Sequence, residues 1–161
     1  MKFTIPEEVL NIIKTLQNNG FEAYIVGGSV RDLIMARSPK DWDITTNATP
    51  AQLQNVFPRT VYENMFGTVG VVTEMDDVLL SEKPDSLRVV EVTPYRTEGK
   101  YIDSRHPETV IFVQSLEEDL SRRDFTVNAI AYDPVRGVVK DPFGGEKDIK
   151  DKIIRTVGNP E

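Results

Sequence analysis

Two aspartates separated by one residue are the first feature of the sequence that suggests chemistry. Asp41 and Asp43 lie in the segment KDWDITT, where Trp42 and Ile44 alternate with acidic and polar residues. In a β-strand, residues two apart share one face, about 7 Å apart along the backbone. Two carboxylates so placed repel each other unless a cation neutralises them, and Mg²⁺ binds one or two carboxylates together with phosphate oxygens and water. A polar strand face exposed to solvent explains the same pattern.

A glycine pair further upstream could bind an anion. Gly27 and Gly28 separate the apolar, aromatic-containing segment FEAYIVG from a helical pattern that contains Arg31. Glycines at a strand-to-helix turn let the backbone approach a ligand, and the first N–H groups of a helix attract anions. A plain tight turn explains the glycines equally well. The segment matches neither a dinucleotide-binding fingerprint nor a P-loop, because the third glycine and the lysine are missing.

The segment RRDFTVNA at 122–129 places cations beside an acid and an amide near a predicted helix end. Arg123, Asp124 and Asn128 are of the donor and acceptor types that hold phosphate oxygens and a ribose hydroxyl. Arg123 also fits an ordinary ion pair at the surface.

Two further residues are candidates of unequal interest. Glu91 lies in the apolar run VVEVT, where burial of a carboxylate is costly unless it is paired or bound to a metal. We therefore consider Glu91 a candidate third acid beside the two aspartates, with a solvent-facing strand position as the alternative. His106 lies in a charged segment and fits no catalytic triad, so we interpret it as a loop residue.

Composition limits the chemistry and the partners. The 161 residues include no Cys and one His, which excludes Cys-ligated metals and thiol nucleophiles, so any metal must be hard and bound by oxygen. With 19 Lys and Arg against 26 Asp and Glu, the net charge of −7 disfavours strong nucleic-acid binding by this chain alone. Neither a signal peptide nor a run of about 20 apolar residues is recognisable, so we expect a cytoplasmic protein.

The elements that must position these residues alternate between helix and strand. In chain order the sequence predicts a helix ending at Gly20, a strand over 21–27, a helix broken at Pro39, a strand over 40–46, a short helix from Thr49, strands over 67–75 and 86–96, a mobile loop over 96–108, a helix from Ser115, a hairpin and a final helix. We expect one domain with a mixed sheet of about five strands and helices packed on it. The class is α/β or α+β, with α+β favoured because the middle of the chain reads as antiparallel hairpins.

Four segments in this order resemble the family of class II tRNA nucleotidyltransferases and bacterial poly(A) polymerases. They are VGGSVRD at 26–32, DWDITT at 41–46, EVTPYR at 91–96 and EEDLSRRDFTVNAIAYD at 117–133. The similarity continues through EGKYIDSRHPETV, which resembles the flexible loop of the family, to DPFGGEKDIKDKIIRTVGNPE, which resembles the end of its head domain.

The resemblance implies a polymerase-β-like nucleotidyltransferase head over residues 1–161 that uses two Mg²⁺ ions. Such a head adds CMP and AMP from CTP and ATP to the 3′ end of tRNA, or AMP to RNA. The family pattern makes Asp41 and Asp43 the catalytic, metal-binding carboxylates and, less securely, Glu91 the third acid. Its nucleotide-binding positions correspond to Gly27, Gly28, Arg31, Arg123, Asp124 and Asn128, the last two facing the incoming sugar.

The family continues into a neck with an EDxxR-type motif that selects the base, and into body and tail helices that hold the tRNA. This sequence ends at Glu161, before either, so base preference stays open among CCA, CC-only, A-only and poly(A) addition. We expect the tRNA 3′ end to be held mainly by those other domains.

Two alternative functions stay open. One is a nucleotidyltransferase that acts on a small molecule, although RRDFTVNA resembles the RNA-acting branch of the superfamily. The other is a head that binds nucleotide without turnover.

Overall fold

Along the chain, α-helices are separated by one to three strands. The computed structural model describes residues 3–62, 67–98, 110–113 and 115–158. Within these ranges the helices are α1 (Glu7–Asn18), α2 (Gly28–Ile34), α3 (Pro50–Val56), α4 (Asp77–Glu82), α5 (Leu116–Ser121) and α6 (Gly145–Lys150). The strands are β1 (Ala23–Val26), β2 (Asp43–Thr46), β3 (Thr60–Tyr62), β4 (Val69–Val72), β5 (Val89–Pro94), β6 (Arg96–Glu98), β7 (Val110–Phe112), β8 (Ala131–Asp133) and β9 (Val138–Lys140). Two 3₁₀ helices occupy Asp85–Leu87 and Thr126–Asn128.

A mixed sheet of seven strands, in the order β3-β4-β5-β2-β1-β8-β9, forms the centre of the fold. β2 and β5 run parallel, and the other neighbouring pairs are antiparallel. The expected α+β class with a mixed sheet is confirmed, whereas the expected count of about five strands is too low. The edge strand β3 has only three residues, too few for an alternating pattern to be recognised.

The polar segment predicted as a loop over 96–108 begins with a strand instead. β6 pairs with β7 in a separate sheet of two strands, in which Arg96 is the partner of Phe112. Backbone hydrogen bonds form this pair. The sequence of β6 is polar throughout and lacks the alternating apolar residues by which a strand is predicted. Residues 99–109, which include His106, lie outside the described residues.

The two faces of the sheet carry different apolar clusters. The main cluster includes the buried face of α1, formed by Val9, Ile12, Ile13 and Leu16, and the sheet residues Ile25, Ile44 and Val92. The next residue of β1, Val26, belongs to the second cluster, around Leu116 and Leu120 of α5. Successive residues of one strand therefore pack on opposite faces, as the pleat requires. None of the described helices is long and apolar enough to cross a membrane.

The alternation predicted over 41–44 is present, although β2 begins only at Asp43. Trp42 and Ile44 are buried, at 7% and 1% exposure, and the two aspartates between which Trp42 lies are exposed. Burial of one set of side chains in the main cluster thus forces the other set to the surface.

Truncation of Ile44 tests how strongly this anchor stabilises the domain. We expect Ile44→Ala to lower the free energy of unfolding by about 2–5 kcal/mol, and Ile44→Val by about 0.5–1.5 kcal/mol, because a buried side chain loses contacts and leaves a cavity. Urea denaturation measures both. Equal small losses in the two variants would contradict a tightly packed position.

Candidate functional site

The parallel pairing of β2 with β5 brings two carboxylates side by side. Asp43 and Glu91 are partners in the register of these strands, and both are exposed. Together with Asp41 they line a cavity of about 350 Å³, which also includes Asp85 and which we name the acidic cavity. Glu91 therefore lies on the solvent-facing side of its strand rather than buried, yet it stands beside the predicted aspartates.

The carboxylates of the acidic cavity act on each other electrostatically. The pKa of Asp43 is raised, first by its partial removal from water, and then by the negative charges of Glu91 and Asp41. The guanidinium of Arg123 opposes this effect and lowers the pKa of Asp43. The like-charge repulsion expected from the DxD pattern is thus a property of the folded site.

Asp43 also lines a second cavity, of about 450 Å³, which shares no other lining residue with the acidic cavity. We name this the cationic cavity, because Arg31, Arg122 and Arg123 line it. Every residue predicted to bind nucleotide lines it: Gly27, Gly28, Arg31, Arg123, Asp124 and Asn128. The fold thus brings residues from two separate segments, 27–31 and 122–128, to the carboxylate of Asp43.

The glycine pair leaves room for two of these guanidinium groups. Gly27 has a φ of +80°, a backbone conformation that favours glycine. A Cβ at Gly27 would lie 3.4 Å from Nη1 of Arg123, and one at Gly28 would lie 3.3 Å from Nη2 of Arg31. The glycines therefore form a tight turn and also permit a close approach.

A chain of hydrogen bonds connects α2 with the 3₁₀ helix at Thr126–Asn128. Nη1 of Arg31 donates to Oδ1 of Asn128 at 2.9 Å, and Nδ2 of Asn128 donates to Oδ1 of Asp124 at 3.3 Å. Arg31 also forms an ion pair with Asp32 at 3.2 Å. These contacts fix the orientation of three side chains that line the cationic cavity.

The buried carboxylate of Asp119 positions Arg123 and was not predicted. Asp119 is fully buried and accepts hydrogen bonds from Nη2 of Arg123 and Nε of Arg122, both at 3.4 Å. It also accepts from the hydroxyl of Thr45 in β2 at 3.3 Å and from the backbone N–H of Arg96 at 3.1 Å. The spacing of Asp119 from the two arginines, three and four residues, was the signal in the sequence.

Arg123 is therefore neither a free surface cation nor fully neutralised. Its burial lowers the pKa of the guanidinium, while the charges of Asp119 and Asp43 oppose that effect. An arginine nonetheless stays protonated in a protein. Its Nε is buried without a hydrogen-bond partner among the described residues, so Arg123 retains donor capacity.

The charged groups of the acidic cavity are all carboxylates, whose oxygens suit a hard cation such as Mg²⁺. Among the described residues, no group of three or more His, Cys, Asp or Glu side chains is arranged as a metal site. A complete cage of protein ligands is not what Mg²⁺ needs, because it takes one or two carboxylates and completes its shell with water and phosphate. Asp41 and Asp43 fit that role.

This fold and arrangement identify a family. The sequence profile of the poly A polymerase head domain matches residues 23–155, and the chain belongs to that family. Among its relatives, a CCA-adding enzyme of Geobacillus kaustophilus is 48% identical over 153 residues, which cover 94% of this chain and 35% of the relative. A CCA-adding enzyme of Staphylococcus epidermidis is 44% identical over 161 residues, which cover 99% of this chain and 37% of the relative.

Solved structures agree with this assignment. The crystal structure of the Bacillus stearothermophilus CCA-adding enzyme in complex with CTP matches with a TM-score of 0.78 and 42% identity, over 96% of this chain and 34% of that chain. The fold is also that of a Thermotoga maritima CCA-adding enzyme complexed with tRNA, with a TM-score of 0.66 and 23% identity, over 96% of this chain and 34% of that chain. The chain spans about a third of the length of these relatives.

Removal of the charge on Asp43 should stabilise the fold in the absence of divalent cations. Because the folded state raises the pKa of Asp43 above its ordinary value of 3.8, it binds the proton more tightly than the unfolded state does. The free energy of unfolding therefore falls as the pH rises through the folded pKa. We expect Asp43→Asn to be more stable than the wild type at pH 7, with a smaller difference as the pH approaches 4.

Urea denaturation in the presence of EDTA at both pH values measures this difference. Glu82→Gln, which removes one charge from an exposed position of α4, is the control and should leave the stability nearly unchanged. An Asp43→Asn variant less stable than the wild type at pH 7 would mean that the carboxylate stabilises the fold, contrary to this account.

Proposed function

We propose that this chain is the catalytic head of an RNA nucleotidyltransferase that adds CMP and AMP, from CTP and ATP, to the 3′ end of tRNA. The observation that carries the proposal is the position of Asp43, which lines the acidic and the cationic cavity together. Nucleotidyl transfer needs a carboxylate at the boundary between a triphosphate and an acceptor hydroxyl. The relatives named as CCA-adding enzymes favour tRNA as the acceptor.

The cationic cavity is the proposed site of the triphosphate. Arg31 and Arg123 bring guanidinium groups against the glycine turn, where planar donors can bind phosphate oxygens in pairs. Asp124 and Asn128, which line the same cavity, supply an acceptor and an amide for the ribose hydroxyls. Asp119 holds Arg123 in place from behind.

Asp41 and Asp43 would hold the magnesium ions, with Glu91 as a third acid beside them. Bound Mg²⁺ lowers the pKa of the acceptor hydroxyl and stabilises the charge that develops on the phosphate oxygens. In the transfer, the 3′ oxygen of the acceptor forms a bond to the α-phosphorus as the bond from that phosphorus to the bridging oxygen breaks. Pyrophosphate leaves with the electron pair, and the hydroxyl proton is released to solvent.

Most of the contacts that bind tRNA would come from outside this chain. A net charge of −7 gives the head little general attraction for the phosphate backbone of RNA. The relatives are about three times as long, so their remaining domains have ample surface for tRNA.

Poly(A) addition is the second candidate, favoured by the family to which residues 23–155 belong. A head that binds nucleotide without turnover is the candidate of another class.

A transfer assay with defined acceptors separates these candidates. The chain is incubated with Mg²⁺, labelled CTP or ATP, and tRNAs that lack CCA or end in CC. We expect CMP on the first acceptor and AMP on the second, with no extension of a tRNA that already ends in CCA. Runs of AMP on any acceptor would favour poly(A) addition, and nucleotide binding without transfer would favour the non-catalytic candidate.

Loss of either aspartate should abolish transfer without unfolding the head. We expect Asp41→Ala and Asp43→Ala to reduce turnover by several orders of magnitude, because each would remove a ligand of the charge-stabilising cations. Circular dichroism establishes that the fold is retained, since both side chains are exposed. Near-wild-type turnover in either variant would contradict the two-metal proposal.

Arg123→Ala should instead weaken nucleotide binding. Loss of a charged hydrogen bond costs about 1.5–3 kcal/mol, so we expect about 10- to 150-fold weaker affinity for CTP by calorimetry. Arg136→Ala removes an exposed arginine that lines neither the cationic nor the acidic cavity and is the matched control. Unchanged CTP affinity in Arg123→Ala would exclude Arg123 from the triphosphate site.

A further inference from the structure

The acidic cavity adjoins a second, larger space that neither the triphosphate nor the metal proposal uses. A groove of about 650 Å³ shares Trp42 and Ser86 with the acidic cavity. It runs from there between the start of the chain, around Phe3 and Ile5, and the segment that follows α2, at Arg37 and Pro39. We name it the Trp42 groove. Its volume is in the range of sites that bind organic ligands of nucleotide size.

We propose that the Trp42 groove binds the last nucleotides of the single-stranded RNA acceptor, leading its 3′-hydroxyl to Asp41 and Asp43. The inference rests on the proposed function, because it assumes that the cationic cavity holds the triphosphate. It assigns the acceptor to a specific surface of this chain.

The geometry of in-line displacement supports this assignment. The attacking and leaving oxygens must lie on opposite sides of the α-phosphorus. The cationic cavity and the acidic cavity meet at Asp43 and share no other residue. With pyrophosphate leaving toward the arginines, the acceptor oxygen would arrive from the acidic cavity, and the Trp42 groove adjoins that cavity at Trp42 and Ser86.

The charges along this path also fit an RNA end. The acidic cavity contains only carboxylates among its charged residues, so it suits the neutral sugar hydroxyl and repels phosphate. The one charged residue of the Trp42 groove is Arg37, which is exposed and so can reach the phosphate that precedes the terminal nucleotide. Phe3, which is half-buried, and the prolines of the groove offer flat apolar surface to bases, which stack on such surfaces without regard to sequence.

Two other cavities offer no comparable path. The cavity beside α1 and β4 is lined by Glu7, Glu8 and Glu74 with one cation, Lys83, and that beside β1 by Glu22 and Asp133 with one cation, Arg136, so carboxylates outnumber cations in both. Neither shares a residue with the acidic cavity. Their carboxylates would repel an RNA backbone, whereas the Trp42 groove has none.

The single tryptophan of the chain makes the proposal testable without turnover. The probe is an RNA trinucleotide with a 3′-deoxy end, titrated into the ¹⁵N-labelled chain and followed by two-dimensional NMR. We expect the indole signal of Trp42 and the amide signals of Arg37 and Leu87 to shift with RNA. In a separate titration, CTP should shift Gly28 and Asn128.

Arg37→Ala should weaken trinucleotide binding at least tenfold and leave CTP affinity unchanged, because Arg37 lies outside the cationic cavity. Arg136→Ala is the matched control and should change neither affinity. Trinucleotide shifts that leave Trp42 unaffected, no shifts at millimolar RNA, or equal effects of the two arginine variants would each overturn the proposal. Missing CTP shifts at Gly28 and Asn128 would instead count against the proposed function, so the two failures are distinguishable.

Discussion

The parallel pairing of β2 with β5 is the constraint on which the rest of the site depends. It sets Asp43 beside Glu91 with both side chains exposed, while Ile44 and Val92 of the same two strands pack in the main core. Apolar burial thus holds like charges together that would otherwise separate. The raised pKa of Asp43 is the electrostatic consequence, and a bound cation is the physical means of relieving it.

Around this pair the fold separates charge by side. The arginines line the cationic cavity beside the glycine turn, and four carboxylates, including that of Asp43, line the acidic cavity. The buried Asp119 accepts hydrogen bonds from both Arg123 and Thr45 of β2. The arrangement stores unfavourable electrostatic energy in the absence of substrate and metal. Functional sites commonly sacrifice stability in this way, because charges that must stabilise a transition state cannot neutralise one another beforehand.

The sequence predicted the parts of this site that depend on local periodicity. Alternation identified Trp42 and Ile44 as buried and the flanking aspartates as exposed, because the period of a strand is two residues. Likewise, the sequence predicts a helix start at Thr49, whose hydroxyl accepts from the backbone N–H of Gln52 while the Gln52 side chain accepts from the backbone N–H of Thr49. Glu91 was a candidate third acid beside the aspartates, but its parallel register opposite Asp43 could not be predicted, because that register joins distant segments. Asp119 escaped notice because its partners lie on β2 and β6 as well as on its own helix.

In the proposed reaction Asp43 would bind the metal that in turn binds the triphosphate, so that Mg²⁺ and CTP strengthen each other's binding. The most direct test is calorimetric titration of CTP into the wild type and Asp43→Asn, each with and without Mg²⁺. We expect Mg²⁺ to increase the CTP affinity of the wild type and to increase that of Asp43→Asn far less. An equal gain in both proteins would contradict the claim, because the metal would then act on the nucleotide without this carboxylate.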